Sequence, residues 1–267
     1  MRSATKPMPV GVENFKKLRE NYAFVDKTYF IRDLIDKHSD ITLITRPRRF
    51  GKTLTMSMLK YFFTPENAEE NRRLFAGLAI ERTGEKYMAE QGTRPVISLS
   101  LKDAAMGDFS STIEIFGRII GNLYDEHKYL MKDNHLEDWQ QEHFKSIVSC
   151  NASIATIATS LKQLMIYMTQ YWKKTPMLLL DEYDAPIIAA WSNNYYRECI
   201  DFMRILLTSA LKTNDYLDFA VLTGVTRVSK ESIFSGLNNI DVCGVLSNNY
   251  ADALGFTQDE VDALLTA

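Results

Sequence analysis

Residues Ile41 to Thr53 read I-T-L-I-T-R-P-R-R-F-G-K-T. A short run of Ile, Leu and Thr predicts a buried strand ending near Thr45, and the apolar pattern from Lys52 to Phe63 predicts a helix. Between them lies a basic loop that closes on Gly51. The first N–H groups of a helix have no intrahelical partner and carry the positive end of its dipole, so a strand, loop and helix in this order suit an anion. The general phosphate-loop pattern G-x-x-x-x-G-K-[ST] is met by Gly51, Lys52 and Thr53, whereas Arg46 stands where the first glycine falls. On this reading Arg46, Pro47, Arg48, Arg49, Phe50, Gly51, Lys52, Thr53 and Leu54 are the nucleotide-binding residues. Lys52 reaches the β- and γ-phosphates, and the Thr53 hydroxyl faces Mg²⁺. The alternative is an ordinary helix N-terminus.

A second motif bears on that choice. Met177 to Glu182 read M-L-L-L-D-E, an apolar run closed by two carboxylates. Such a run is a buried parallel strand, and its acidic pair emerges at the carboxyl edge, where ligands of open α/β sheets collect. This is the Walker B arrangement: Asp181 holds Mg²⁺ through water, and Glu182 orients or deprotonates the attacking water. The competing reading is a strand that ends in a solvated acidic turn, aided by Asp184 and Pro186.

The loop T-R-P-R-R-F-G-K-T, the segment L-L-L-D-E-Y-D-A-P and the later L-T-G-V-T-R-V-S-K-E-S-I-F-S-G-L-N-N together resemble the AAA-ATPase-like proteins of anaerobic and gut bacteria. The likeness begins in P-V-G-V-E-N-F-K-K-L-R-E near Pro9, passes through V-D-K-T-Y-F-I-R-D-L-I-D and reaches G-F-T-Q-D-E-V. In that family the arginine-rich loop is the usual form, so Arg46 agrees with the family while departing from the general pattern. The resemblance implies a P-loop NTPase fold: a three-layer α/β/α arrangement with a mainly parallel five-stranded sheet and a helical insertion. It also implies adenine as the base, with no N-K-x-D-like guanine reader after the fourth strand. The resemblance further implies an ATPase domain over residues 1–256, with the insertion at about 102–174, and the start of a truncated helical lid at 257–267. Family members commonly continue into a nuclease-like PD-(D/E)XK domain, and no D…E-x-K arrangement on a strand hairpin is found in this chain.

The order of elements agrees with alternating strands and helices, the signature of a parallel sheet. Helices are expected at 14–18, 26–37, 52–63 and 195–212, with a long helix-like stretch from about Asp108 to Lys174. Strands are expected at 41–45, 96–101, 177–182 and 219–224, with a weaker fifth at 241–246. Tyr61, Phe62 and Phe63 read as core. Thr257-x-x-Glu260 is a capping box that starts a helix near Gln258.

In this class the tip of the fourth strand lies between the phosphate loop and the Walker B strand. Thr223 and Thr226 are placed to sense the γ-phosphate or the water, and Arg227 to add positive charge there. Each has a structural alternative: the threonines as a strand-end turn, and Arg227 paired with Asp184 or Glu231. Arg48 and Arg49 either brace phosphates or lie solvated or ion-paired. Arg197 and Arg227 are both candidate arginine fingers, and oligomeric state is open.

Composition narrows the classes. With 267 residues, 46% hydrophobic and 24% charged, the chain can bury a sizeable core. No apolar run approaches the ~18 residues that span a bilayer, and Met1 to Pro9 lacks a signal-peptide core. Cytoplasm is the expectation. A net charge of −3 argues against a nucleic-acid coat, so any such contact is local. Cys150, Cys199 and Cys243 are too scattered for a disulfide framework or zinc, and His38, His127, His135 and His143 lack ligand spacing.

The cofactors expected are ATP and Mg²⁺, with Glu182, Lys52, Thr223 and Arg227 as the catalytic set and Thr53 and Asp181 on the metal. Three functions fit: an ATPase that switches a protein partner or an effector domain, a nucleotide-holding module that turns over little, and a small-molecule kinase. Glu182 directly after Asp181 favours water activation over the kinase.

Overall fold

The computed structural model describes residues 6–228, 233–234 and 239–266. In chain order the helices and strands are α1 (Phe15–Asn21), α2 (Tyr29–Lys37), β1 (Ile41–Thr45), α3 (Lys52–Phe63), α4 (Ala68–Arg72), α5 (Ala79–Arg82), α6 (Glu85–Met88), β2 (Val96–Ser100), α7 (Phe109–Glu126), α8 (Asp138–Val148), α9 (Ile154–Trp172), β3 (Met177–Asp181), α10 (Ala185–Ser192), α11 (Tyr196–Leu211), β4 (Ala220–Gly224), β5 (Ile240–Cys243) and α12 (Gln258–Thr266). The chain divides into two compact units, one of Met1–Ser39, Arg46–Arg94 and Cys243–Ala267, the other of Asp40–Thr45 and Pro95–Val242.

The second unit carries the sheet, in the order β2-β3-β4-β1-β5. The β2–β3, β3–β4 and β4–β1 pairs are parallel. Sequence chemistry explains which strands are central. Every residue of β1, β3 and β4 is buried, as expected of near-continuous apolar runs covered on both faces. β2 and β5 form the edges, and both include partly exposed residues. The crossover from β2 to β3 contains α7, α8 and α9, and that from β3 to β4 contains α10 and α11. Their apolar faces supply Phe116, Leu161, Leu164, Met203 and Leu206 to one hydrophobic core with Leu178, Leu180, Ala220 and Leu222.

Strand β5 stops at Cys243, short of the expected Leu246, because Ser247 N bonds to Gly244 O and turns the chain. Helix α10 begins with Pro186 in its first turn, where the missing N–H costs no helical bond. It extends the fold beyond the sequence-based expectation, as do the short helices α4, α5 and α6.

In the first unit, Asn14 caps α1 by accepting from Lys17 N. Phe15 stacks on Phe75 at 5.1 Å, and Phe62 meets Phe63 edge-on at 5.0 Å. Phe62 and Phe63 are fully buried, which makes them core as the sequence implied. Helix α2 starts later than Asp26 because that carboxylate is occupied: Oδ1 accepts from Thr28 N and Oδ2 from Ala79 N. The capping box of α12 is closed from both sides, Glu260 N donating to Thr257 Oγ1 and Thr257 N to Glu260 Oε2. Lys27 Nζ bonds both oxygens of Glu260 at 2.6 and 2.7 Å, which ties α12 to the turn before α2.

Leu222 is fully buried on β4, level with Leu43 and Leu180 on its two neighbours. Leu222→Ala is expected to lower unfolding free energy by about 2–5 kcal/mol, read by urea denaturation. A loss within experimental error would contradict the packing described for β4.

Candidate functional site

The Arg46–Gly51 loop of the first unit contains two left-handed residues. Gly51, with φ of 79°, is the N-cap of α3, and a Cβ added there would meet nothing within 4 Å. Bare backbone therefore faces open space at a helix N-terminus, the geometry an anion needs. Arg49 also has a positive φ, 68°. Pro47, Arg48, Arg49, Phe50 and Gly51 are exposed, Thr53 and Leu54 are half-buried, and Lys52 is buried. Lys52 Nζ donates to the carbonyls of Arg46 and Pro47, each at 3.0 Å. The ammonium thus lies across the loop's own backbone.

Arg46 is 4% exposed. Its guanidinium donates to Cys243 O at 2.8 Å and to Tyr250 O at 3.4 Å. Burial draws its pKa below the usual arginine value, yet arginine remains charged in proteins, so these are charge-assisted bonds. The side chain at the first-glycine position is a strut between the loop and the segment 243–250. Two further features join loop and segment: Gly255 N donates to Phe50 O at 3.1 Å, and a Cβ on Gly255 would come within 3.0 Å of the Phe50 ring.

The second unit holds the acids. The β3–β4 register sets Leu180 beside Leu222, and the β4–β1 register sets Thr223 beside Ile44. Asp181, Thr223 and Thr45 therefore share the carboxyl edge of the sheet, with β4 between β1 and β3 as expected. Asp181 is 4% exposed. Its Oδ1 accepts the Thr223 hydroxyl and, at 3.0 Å, Glu182 N. Glu182 follows in a left-handed conformation, φ 51°, half-buried at the strand tip. Two donors converge on that one oxygen, and the Thr223 hydroxyl is the one that comes from the neighbouring strand.

The sequence offers no role for Tyr183 and reads Asp184 as part of an acidic turn or as a partner of Arg227. Asp184 Oδ2 accepts from Val225 N at 2.9 Å, Thr226 N at 2.7 Å and Thr226 Oγ1 at 2.9 Å. Its carboxylate serves the loop after β4 rather than Arg227, and Thr226 is part of that clasp. Tyr183 OH donates to Thr226 O at 2.9 Å and accepts from Val228 N at 3.1 Å. The sequence signal for this clasp is the third acid of D-E-Y-D, Asp184. Arg227 is exposed, and Glu231, its other proposed partner, lies outside the described residues. Arg197 is exposed on the first turn of α11.

Elsewhere, burial pushes the Cys199 thiol up to about 12, which suits a structural thiol. Among the described residues no group of His, Cys, Asp and Glu has metal-site geometry, and no helix is long and apolar enough to cross a membrane.

An α/β fold with a parallel five-stranded sheet, a Gly-Lys-Thr loop after its first strand and an acid pair ending its third is that of a P-loop NTPase. The chain belongs to the AAA-ATPase-like family, described as "Predicted AAA-ATPase", which matches residues 9–234. Membership implies nucleotide binding and ATPase-like activity. The chain is also 28% identical over 269 residues to an "Uncharacterized protein in vnfD 5'region" of Azotobacter chroococcum mcd 1. That match covers 97% of this chain and 45% of the relative, so the chain spans about half the length of the curated relative it matches. No solved structure matches.

Arg46→Ala is expected to cost about 2–3 kcal/mol, the scale of lost hydrogen bonds to a charged group, and to speed amide exchange in residues 243–250. Unchanged exchange in that segment would contradict the strut.

Proposed function

We propose that this chain binds ATP with Mg²⁺ and hydrolyses it, and that the nucleotide cycle switches a protein partner or an effector domain. The observation that carries this reading is the buried Asp181 carboxylate, held by Thr223 and by Glu182 N at the carboxyl edge of a parallel sheet. Such a carboxylate and a threonine hydroxyl are hard oxygen donors of the kind Mg²⁺ takes. In this proposal Thr53 and Asp181 would hold the ion. Bound Mg²⁺ would neutralise charge on the β- and γ-phosphates.

The chain's own residues do the rest. The N–H groups of Arg48, Arg49, Phe50, Gly51, Lys52, Thr53 and Leu54 cradle the phosphates, and Lys52 exchanges its carbonyl partners for phosphate oxygens. Glu182 accepts the proton of the attacking water while that oxygen bonds to the γ-phosphorus and the bond to the β,γ-bridging oxygen breaks, which releases ADP and phosphate. Arg227 offsets the charge that develops on the γ-phosphate. The resting bonds of Lys52 to Arg46 O and Pro47 O favour a second reading, a module that holds nucleotide and turns it over slowly, since those bonds compete with phosphate.

Lys52→Ala is expected to weaken Mg-ATP binding roughly 10- to 100-fold, as for the loss of charge-assisted bonds, measured by calorimetry. Equal affinity in the variant would remove the phosphate-loop assignment. Glu182→Gln is expected to retain ATP binding and slow phosphate release by at least ~100-fold. If turnover is unchanged, Glu182 is only a strand-end acid; if the wild-type chain binds without turnover, the second reading holds.

A further inference from the structure

The loop after β4 is fastened from one side by two consecutive residues of the Walker B strand's tip. Tyr183 is fully buried and Asp184 is 1% exposed. A buried carboxylate is costly unless donors satisfy it, and the donors here are the backbone N–H groups of Val225 and Thr226 with the Thr226 hydroxyl. Two successive N–H groups on one carboxylate oxygen form a small anion-holding nest. The loop cannot leave without stranding that charge. Tyr183 adds a bond on each side of Arg227, to Thr226 O and from Val228 N. Burial holds its phenol well above the usual tyrosine pKa, so the hydroxyl stays protonated and both donates and accepts.

Close approach is built into the sequence. A Cβ at Gly224 would lie 2.7 Å from Asp184 Oδ1 and 2.7 Å from the Tyr183 ring, so only glycine admits the clasp. The Tyr183 ring in turn rests 5.6 Å from that of Phe234, between centroids. Residues 225, 226 and 228 are all tied down, while the residue between them, Arg227, is exposed. The backbone at Arg227 is fixed and its side chain is presented outward.

We propose that Tyr183 and Asp184 are positioning residues, which hold the 225–228 backbone so that Arg227 meets the γ-phosphate and the site tells nucleoside triphosphate from diphosphate. This rests on the nucleotide-binding function proposed above. Rigid presentation matters because a guanidinium on a free loop loses much of its binding energy to ordering, whereas a preorganised one does not. The acid pair and its two following residues then act as one piece: Asp181 and Glu182 face metal and water, and Tyr183 and Asp184 set the cation that reads the third phosphate.

The test is calorimetry on the full chain with Mg²⁺, comparing ADP with the β,γ-imido analogue of ATP. Arg227→Ala is expected to shift the analogue-to-ADP affinity ratio roughly tenfold, the scale of one charge-assisted bond. Asp184→Asn is expected to shift it by a similar factor while ADP affinity stays constant, and the double variant to add nothing further, because both act through one guanidinium. Tyr183→Phe keeps the buried ring and removes only the hydroxyl bonds, so it serves if Asp184→Asn does not fold; a smaller shift in the same ratio is expected. If ADP and analogue weaken together, or if the Asp184 and Arg227 effects add, the positioning role is overturned and nucleotide binding stands. If the wild-type chain binds neither nucleotide, the proposed function falls and this inference with it.

Discussion

A carboxylate that ends a wholly apolar, wholly buried strand is stable only while hydrogen-bond donors converge on it, and Asp181 is in that position at the end of β3. The Thr223 hydroxyl reaches it only in the β3–β4 register that sets Leu180 beside Leu222. A slip by one residue would turn Thr223 to the opposite face of the sheet and take its hydroxyl away from the acid. The same register brings Gly224 against Tyr183 and Asp184. One electrostatic requirement thus fixes the strand pairing, and the pairing shapes the loop that follows β4. The apolar packing of α9 and α11 with β3 and β4 in one core supplies the stability that such a constraint draws on.

In the first unit the organising feature is backbone polarity. Residues 47–51 of the loop are exposed, so its shape is imposed from outside. Arg46, Phe50 and Gly255 do this by tying the loop to the segment 243–255. Tyr250, in that segment, packs edge-on against Phe30 at 5.1 Å and lies under the Lys37 ammonium. Lys27 and Glu260 then extend the brace to α12. The loop's arginine, which breaks the general phosphate-loop pattern, is accounted for by this brace: glycine would give freedom at that position, and arginine gives restraint.

Much of the fold was legible in sequence because its signals are local. Continuous apolar runs marked β1, β3 and β4. The capping box at Thr257 and Glu260 was readable from spacing alone, since both partners lie within one helical turn. The short helices between Ala68 and Met88 carry too few residues to establish a period. α10 escaped notice because its proline reads as a breaker when it is in fact a first-turn residue.

By itself the sequence determined the element order, the Gly51-Lys52-Thr53 entry into α3 and the acid pair Asp181-Glu182 at the end of β3, because each is a pattern among neighbours. Only the tertiary structure decided what Arg46, Thr223, Thr226, Tyr183 and Asp184 do. Arg46 finds its acceptor 197 residues away, and the Tyr183 and Asp184 bonds span about forty residues to the loop after β4. A side chain's chemistry is written in its type, but its partner across such distances is set by how strands register and pack, which no local pattern encodes.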